Sequence, residues 1–397
     1  MKRQGLSSFV LGFSLTLIAF NLRPVFSSFS VLLPAISQDL GLSATQAGLL
    51  TTVPVLCLGC FAPLAPYFGQ RFGVEKVLAG ALALLAVGLL VRASGSLPWL
   101  YGGTIASGAA IALSNVLLPN LVKRDFPHHM GVMTSFYTMA LCGGAALAMG
   151  LTAPLQAILG DSWHLALAFW ALPVVAVLAL WVPQLKSQHH TIRGHKYRVR
   201  GLWKDPLAWQ VTFFMGMQSS LAYCVFGWLV PILRERGVDD SVSGMLISIS
   251  IFIQAGSCMI TPLLAGRRAQ QSGLNFILCA LAVGGLFGFL FAPLDTLWVW
   301  VVIQGLGQGG LIAAAMMMIV LRSRDAPTSA HLSGMAQTVG YCLAAFGPLL
   351  VGVVHDWTGS FAACGFVFLG FGSAAGIAGY LAGRPCLTNT TTLLLDA

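Results

Sequence analysis

Twelve apolar stretches, each long enough to cross a bilayer as a helix, follow one another along this chain with short polar breaks between them. They run over about 7–36, 46–68, 77–93, 98–122, 130–152 and 163–182, and then over 207–232, 242–264, 274–292, 297–320, 330–353 and 361–382. A spanning helix needs about 20 apolar residues, so this succession predicts an all-α membrane protein. Only 8% of the 397 residues are charged, against roughly 25% in ordinary soluble proteins. With 57% hydrophobic residues and a mean hydropathy of +0.83, a soluble fold would leave large apolar patches facing water. Large soluble domains are excluded.

Lys2 and Arg3 precede an apolar run that continues to about Ile36 without a small-residue cleavage site. That run is expected to be the first permanent span rather than a signal peptide. The nine cysteines are scattered, most of them inside apolar runs, and Cys57 and Cys60 share one apolar helix. They are expected to be small buried apolar residues, with no disulfide framework and no metal site.

The longest polar stretch, 183–206, carries Lys186, His189, His190, Arg193, His195, Lys196, Arg198, Arg200 and Lys204. It divides the chain into a first six-helix bundle over 1–182 and a second over 207–397, which ends in a short tail. With the amino terminus inside the cell, 17 of the 21 basic residues fall in cytoplasmic segments and three, Arg92, Arg234 and Arg236, fall outside. The opposite orientation would reverse this bias, against the positive-inside rule. Both termini are therefore expected in the cytoplasm. The net charge of +9 is a topology signal, and nucleic acid is not an expected partner.

The halves resemble copies of one unit. Leu33-Pro34 with Ser43 to Gly48 matches Val230-Pro231 with Asp239 to Gly244 at an offset of 196 to 197, and Pro63 matches Pro262 at 199. Gly103 and Gly108 of the fourth span correspond to Gly305 and Gly310 of the tenth, and Gly131 to Gly334. Two duplicated bundles facing one cavity can rock about a midplane site and expose it alternately to each side.

The loop Gly69-Gln70-Arg71-Phe72-Gly73-Val74-Glu75-Lys76 resembles the gating loop of the major facilitator superfamily, with Arg71, Gly73 and Lys76 in the matching positions. Gln70 stands where that loop has its acid and Val74-Glu75 where it has a basic pair. Gly266-Arg267-Arg268 is an abbreviated counterpart in the second half. Asn21-Leu22-Arg23-Pro24 is similar to the cyanate and 2-nitroimidazole permease subfamily. Gly48 to Pro54, Asn115 to Pro119, Lys123 to His128, Pro206 to Thr212 and Leu332 to Gln337 resemble its 2-nitroimidazole type. The resemblance implies the major facilitator fold: twelve transmembrane helices in two pseudo-symmetric bundles. It also implies passage of small, planar, weakly acidic or anionic solutes.

Among the charged residues, Arg23 alone lies near the centre of a span. An arginine there costs about 2.5 to 3.5 kcal/mol and stays protonated, so a partner or a water-filled cavity must offset it. Two readings stand: a post held by backbone carbonyls, or a fixed cation receiving an anionic or electron-rich planar group through two parallel hydrogen bonds. On a continuous helix Thr16, Arg23, Ser27 and Ser30 share a face, while Asn21 and Ser28 lie opposite and are expected to bond neighbouring helices. Through the 197 offset, Asn21 and Arg23 correspond to Gln218 and Ser220, which makes the expected site asymmetric.

Other mid-span polar residues are Asn115, Gln254, Gln304, Gln308, Gln337 and Tyr341. Interhelical hydrogen bonds, at about 0.6 kcal/mol each, explain many such groups. Gln304/Gln308 and Gln337/Tyr341 are i, i+4 neighbours, the latter matching Thr134/Thr138 at an offset of 203, and Tyr223 or Tyr341 could stack on a flat solute. The candidate binding set is thus Arg23, Asn115, Gln218, Tyr223, Gln304, Gln308, Gln337 and Tyr341. Met316 to Met318 are expected to be adaptable packing.

Every Asp, Glu and His falls in a loop, tail or helix end, so no mid-span proton relay of the kind drug exporters use is expected. Nucleophile elbows, phosphate loops and metal clusters are absent from the sequence, and the glycine-rich stretches suit close helix packing. The expectation is a monomeric secondary transporter of the inner membrane. It carries a small planar or anionic organic solute, with a co-transported proton and without a cofactor. An exporter conferring resistance to nitroimidazole-like drugs is the alternative, and a receptor or scaffold that moves nothing is the reading from a different class.

Overall fold

Each apolar run folds as a helix in the computed structural model, which describes residues 2–42, 44–185 and 196–395. Ser43, Lys186, His189, His190, Arg193 and His195 lie outside the described residues. Among the described residues ten helices are long and apolar enough to cross a membrane, and the pair Val53–Phe61 and Leu64–Phe72, bent by 54°, makes an eleventh if it is counted as one span. The 30-residue helix Pro206–Glu235 takes the place of the seventh span. Start signals are local: the Asp205 and Asp325 carboxylates accept from the Leu207 and Thr328 amides at 2.7 and 2.8 Å, and each is followed by a proline or Ala-Pro in the first turn.

Four spans that the sequence presents as continuous are broken. The first divides into Lys2–Leu22 and Pro24–Leu40, the second into Ala44–Phe61 and Leu64–Phe72. The sixth divides into Trp163–Phe169 and Ala171–Trp181, and the eleventh into Ala326–Ala344 and Phe346–Thr358. A proline follows each break within four residues: Pro24, Pro66, Pro173 and Pro348. Each deprives a carbonyl one turn earlier of its intrahelical donor. Pro54, Pro119, Pro154, Pro231 and Pro262 sit inside unbroken helices, so neighbouring packing decides which prolines interrupt.

Equivalent contacts recur in both halves, as a duplicated six-helix unit requires. On the linker face Arg124, ending the fourth span, binds Glu75 at 2.7 Å, and the Trp181 indole donates to the Glu75 carbonyl at 3.0 Å. In the second half Arg322 ends the tenth span against Gln271 and donates to the Ala382 carbonyl at 2.8 Å. On the opposite face Asp39 accepts from the Trp163 indole at 2.9 Å, and Glu235 accepts from the Phe361 amide at 3.2 Å.

The bundles meet on the linker face. Lys123 of the fourth span donates to the Val320 carbonyl of the tenth at 3.1 Å, and the Gln70 amide contacts His331 at 3.2 Å. A Cβ on Gly131 would lie 2.8 Å from the Pro262 carbonyl oxygen, so the fifth and eighth spans touch backbone to backbone. The helices Pro24–Leu40 and Phe346–Thr358, on the other face, make their extensive contacts within their own bundles. The two bundles therefore close against each other at the linker face.

One feature departs from the expectation of a plain linker and tail. Lys196–Arg200 and Thr391–Leu395 pair as antiparallel strands, with Lys196 opposite Leu395 and Arg200 opposite Thr391. Lys-Tyr-Arg-Val-Arg alternates polar and apolar residues as a strand does, but the net composition of the linker hides that period. The tail is fastened further by Thr388, whose amide donates to the Arg322 carbonyl at 2.9 Å, and by Thr392, whose hydroxyl donates to Asp325 at 2.9 Å. Asp325 thus caps a helix and holds the tail. Asp325→Ala should lower stability by about 0.5 to 2 kcal/mol, the range for a lost N-cap, seen as a lower Tm with unchanged ligand affinity.

Candidate functional site

The first span breaks at Arg23 because Pro24 follows it. Arg23 itself is the single non-helical residue between Leu22 and Pro24, and its carbonyl accepts from the Phe26 amide at 3.1 Å to restart the helix. Its side chain is half-buried and lies in the electrostatic neighbourhood of Tyr341, Tyr223, Cys142 and Cys258. These come from the eleventh, seventh, fifth and eighth spans, so the guanidinium faces the junction of both bundles. It has no hydrogen-bond or ion-pair partner among the described residues.

A second guanidinium takes the role of a packing post. Arg92, placed outside the membrane by the charge pattern, is the last residue of the helix Val74–Arg92 and is 1% exposed. It donates to the Val25 carbonyl at 3.1 Å and lies 4.6 Å above the centre of the Phe29 ring. A cation over an aromatic face is favourable in a desolvated setting. Arg92 is thus a carbonyl-held arginine, whereas the Arg23 guanidinium meets no carbonyl among the described residues.

Tyr223 and Tyr341 form a tilted pair, ring centres 6.5 Å apart and planes at 58°. Gln308 reaches across from the tenth span to the seventh, where its amide donates to the Gln218 carbonyl oxygen at 3.3 Å and lies 3.5 Å from the Gln218 side-chain oxygen. Gln218 in turn donates to Ser219 at 2.8 Å. Gln337 donates to Ser333 on its own helix at 3.0 Å. The side-chain oxygens of Gln308 and Gln337 and the hydroxyls of Thr134, Ser135, Tyr137 and Thr338 are buried without a partner among the described residues. Unpaired buried polar atoms are costly, and a polar solute or water between the bundles would relieve them.

Not every polar residue turns to that junction. Gln304 accepts from Ser250 at 2.5 Å and packs so close to Gly285 that a Cβ there would lie 2.4 Å from its own Cβ. Its i, i+4 relation to Gln308 therefore does not make one surface of the two. Asn115 is buried in the fourth span. Asn21, expected to bond a neighbouring helix, donates to the Leu17 carbonyl of its own at 2.9 Å. Thr16 lines a groove of about 690 Å³ on the linker side of the first and fifth spans, with Phe126 and Met133, whereas Ser30 is exposed on the other side of the break.

The stretch expected as a gating loop is helical on both sides of Gly73, the one residue between the helices Leu64–Phe72 and Val74–Arg92, which adopts φ +87°, a conformation that favours glycine. Arg71 is exposed and donates to the Tyr67 hydroxyl at 3.1 Å, and Lys76 is exposed. The loop crosses to the second bundle through Gln70 instead.

Sequence reasoning named Thr138 only as a repeat counterpart and passed over Cys142 and Cys258. The Thr138 hydroxyl donates to the Cys258 carbonyl at 3.1 Å, and the two sulfurs are 3.2 Å apart. The equivalent crossing brings Gly59 of the second span to Thr338 and Cys342 of the eleventh. Contacts thus pair Thr138 and Cys142 with Thr338 and Cys342 at an offset of 200, three residues from the 203 read off Gly131 and Gly334. Thr-x-x-x-Cys in both spans was the available signal.

Comparison with known proteins agrees with this architecture. The chain is 38% identical over 380 residues to the uncharacterized transporter YycB of Bacillus subtilis (strain 168), covering 96% of this chain and 94% of that one. It is 37% identical over 358 residues to the 2-nitroimidazole transporter of Escherichia coli (strain K12), covering 90% and 91%, and 28% identical over 352 residues to the cyanate transport protein CynX of the same strain, covering 87% and 90%. The relation is thus closer to the 2-nitroimidazole type. The fold superimposes on the proton:xylose symporter XylE bound to 6-bromo-6-deoxy-D-glucose with a TM-score of 0.76, at 14% identity and 94% coverage of both chains. These relatives are transporters rather than enzymes. Residues 7–303 match the Major Facilitator Superfamily, and the protein is a multi-pass membrane transporter belonging to that family.

Proposed function

We propose that this protein is a secondary active transporter that carries a small planar or anionic organic solute across the inner membrane by alternating access, with Arg23 as its charged anchor. The observation that carries the reading is a guanidinium facing the junction of the bundles that no described residue neutralises, beside two tyrosines. An anionic or electron-rich planar group would accept two parallel hydrogen bonds from Arg23 and lie against Tyr223 or Tyr341. Gln218, Gln308 and Gln337 would complete the polar wall, with Asn115 and Gln304 supporting it from the fourth and tenth spans. The names of the relatives, for 2-nitroimidazole and cyanate, support compact electron-rich solutes. Residues 1–182 and 207–397 move as the two bodies, joined by 183–206, in a monomer with both termini in the cytoplasm. Arg71, Gly73 and Lys76 belong to the loop at the gate.

Proton coupling follows from the groups around the anchor. Arg23 faces Tyr223, Tyr341, Cys142 and Cys258, with no carboxylate or imidazole among them. Moving one anion inward against an inside-negative potential costs about 2.3 kcal/mol per 100 mV, so import requires a proton on the solute or beside it. Uptake of labelled 2-nitroimidazole, cyanate and aromatic carboxylates into liposomes, preceded by a thermal-shift screen of the same panel, tests the function. Uptake should rise as external pH falls, including in variants neutral at His164, His331 and His355. A pH response abolished by one of those replacements, with binding intact, would assign the relay to that histidine. Efflux of the same solutes would turn the direction to export, and no flux for the whole panel would sink the transport reading.

A further inference from the structure

We propose that Cys142 and Cys258 form a redox-modification site, a thiol pair that a peroxide reaching the partly exposed Cys142 converts into a disulfide joining the two bundles and holding the linker face shut. One cysteine belongs to the fifth span and the other to the eighth, and their sulfurs are 3.2 Å apart. A disulfide bond is about 2.05 Å long, so a side-chain adjustment of about 1 Å closes the gap. The pair is braced on both sides. Thr138, one turn before Cys142, donates to the Cys258 carbonyl at 3.1 Å, and the Cys258 thiol donates to the Gly309 carbonyl at 3.1 Å.

Access and charge agree with reactivity. Cys142 is partly exposed while Cys258 is buried, so the oxidant meets the first and the second resolves it. The fixed cation of Arg23 lies beside both, an electropositive, partly open setting of the kind in which cysteines react. At the pseudo-equivalent crossing Gly59 faces Cys342, so the repeat does not dictate a thiol pair.

The step balances with one peroxide. The Cys142 sulfur attacks an oxygen of hydrogen peroxide, breaks the O–O bond and becomes a sulfenic acid as the first water leaves. The Cys258 sulfur then displaces that hydroxyl as a second water. Two thiols lose two protons and two electrons, and the peroxide is reduced to two waters. The consequence for transport rests on the alternating-access reading: opening the linker face must part the fifth span from the eighth, whose backbones touch at Gly131 and Pro262.

The test uses the full-length protein in liposomes treated with hydrogen peroxide and then alkylated. Peptide mass spectrometry should find Cys142 linked to Cys258, with the loss of two hydrogens, and dithiothreitol should reverse it. Amide deuterium uptake over 130–142 and 258–266 should fall on oxidation and recover on reduction, a readout that needs no transported solute. Cys142→Ser and Cys258→Ser should each lose the link and the exchange response, whereas Cys60→Ser should keep both. Absence of the link, or an exchange response that survives in both serine variants, overturns the site. A link that leaves exchange unchanged overturns the lock. Failure of 2-nitroimidazole or cyanate to cross would count against the transport reading alone.

Discussion

Arg23→Lys should raise the dissociation constant of the best ligand from the thermal-shift panel by at least tenfold, and Arg23→Ala by more, with no loss of folded protein. A hydrogen bond to a charged group contributes about 1.5 to 3 kcal/mol, and lysine keeps the charge while losing the planar fork. What separates this outcome from a structural role is the sign of the stability change. The Arg23 side chain donates no hydrogen bond to the described residues, so its removal orphans no acceptor and removes a desolvated charge. Its Tm should hold or rise. Arg92→Ala should do the reverse, because Arg92 is bonded to the Val25 carbonyl and packed over Phe29. A fall in Tm for Arg23→Ala with unchanged ligand binding would make Arg23 the post and sink the anchor.

The contrast between these two arginines marks what the sequence could reveal. Span count, duplication and the unusual position of Arg23 were legible because lipid imposes one rule on every stretch, so twenty apolar residues or one misplaced charge is conspicuous. The depth of Arg92 was not legible. Its place at the end of an apolar run reads as a loop charge, and only the fold turns its side chain inward. Helical phase failed similarly across Arg23: Thr16 and Ser30 share a face on paper, but Pro24 interrupts the helix between them. The split of Gln304 from Gln308 depends on Gly285 in another span, a contact no local spacing encodes. Polar residues inside membranes carry a functional signal as a class, and which of them meet is decided by helix packing.

Gly144 packs against the turn that leads into the break at Arg23. Pro24 cannot donate to the Phe20 carbonyl one turn before it, and the fifth span approaches that carbonyl so closely that a Cβ on Gly144 would lie 2.1 Å from its oxygen and 3.0 Å from its carbon. Both obstacles are backbone, which cannot rotate away as a side chain could. Gly144→Ala must therefore push the fifth span off the first or shift residues 20 to 23, and Arg23 moves with them. Overpacking of this kind costs about 1 to 3 kcal/mol, and an anchor displaced by even about 1 Å loses on the order of 100-fold in a geometry-dependent step. The expected result is a clear fall in Tm together with near-complete loss of uptake. Gly143→Ala is the control, since a Cβ there meets nothing within 4 Å, and it should behave as wild type. If most of the Gly144→Ala protein fails to fold, ligand affinity measured on its folded fraction still reads the displacement. Wild-type affinity and Tm in Gly144→Ala would mean that the contact between the fifth span and the Phe20 carbonyl does not position Arg23.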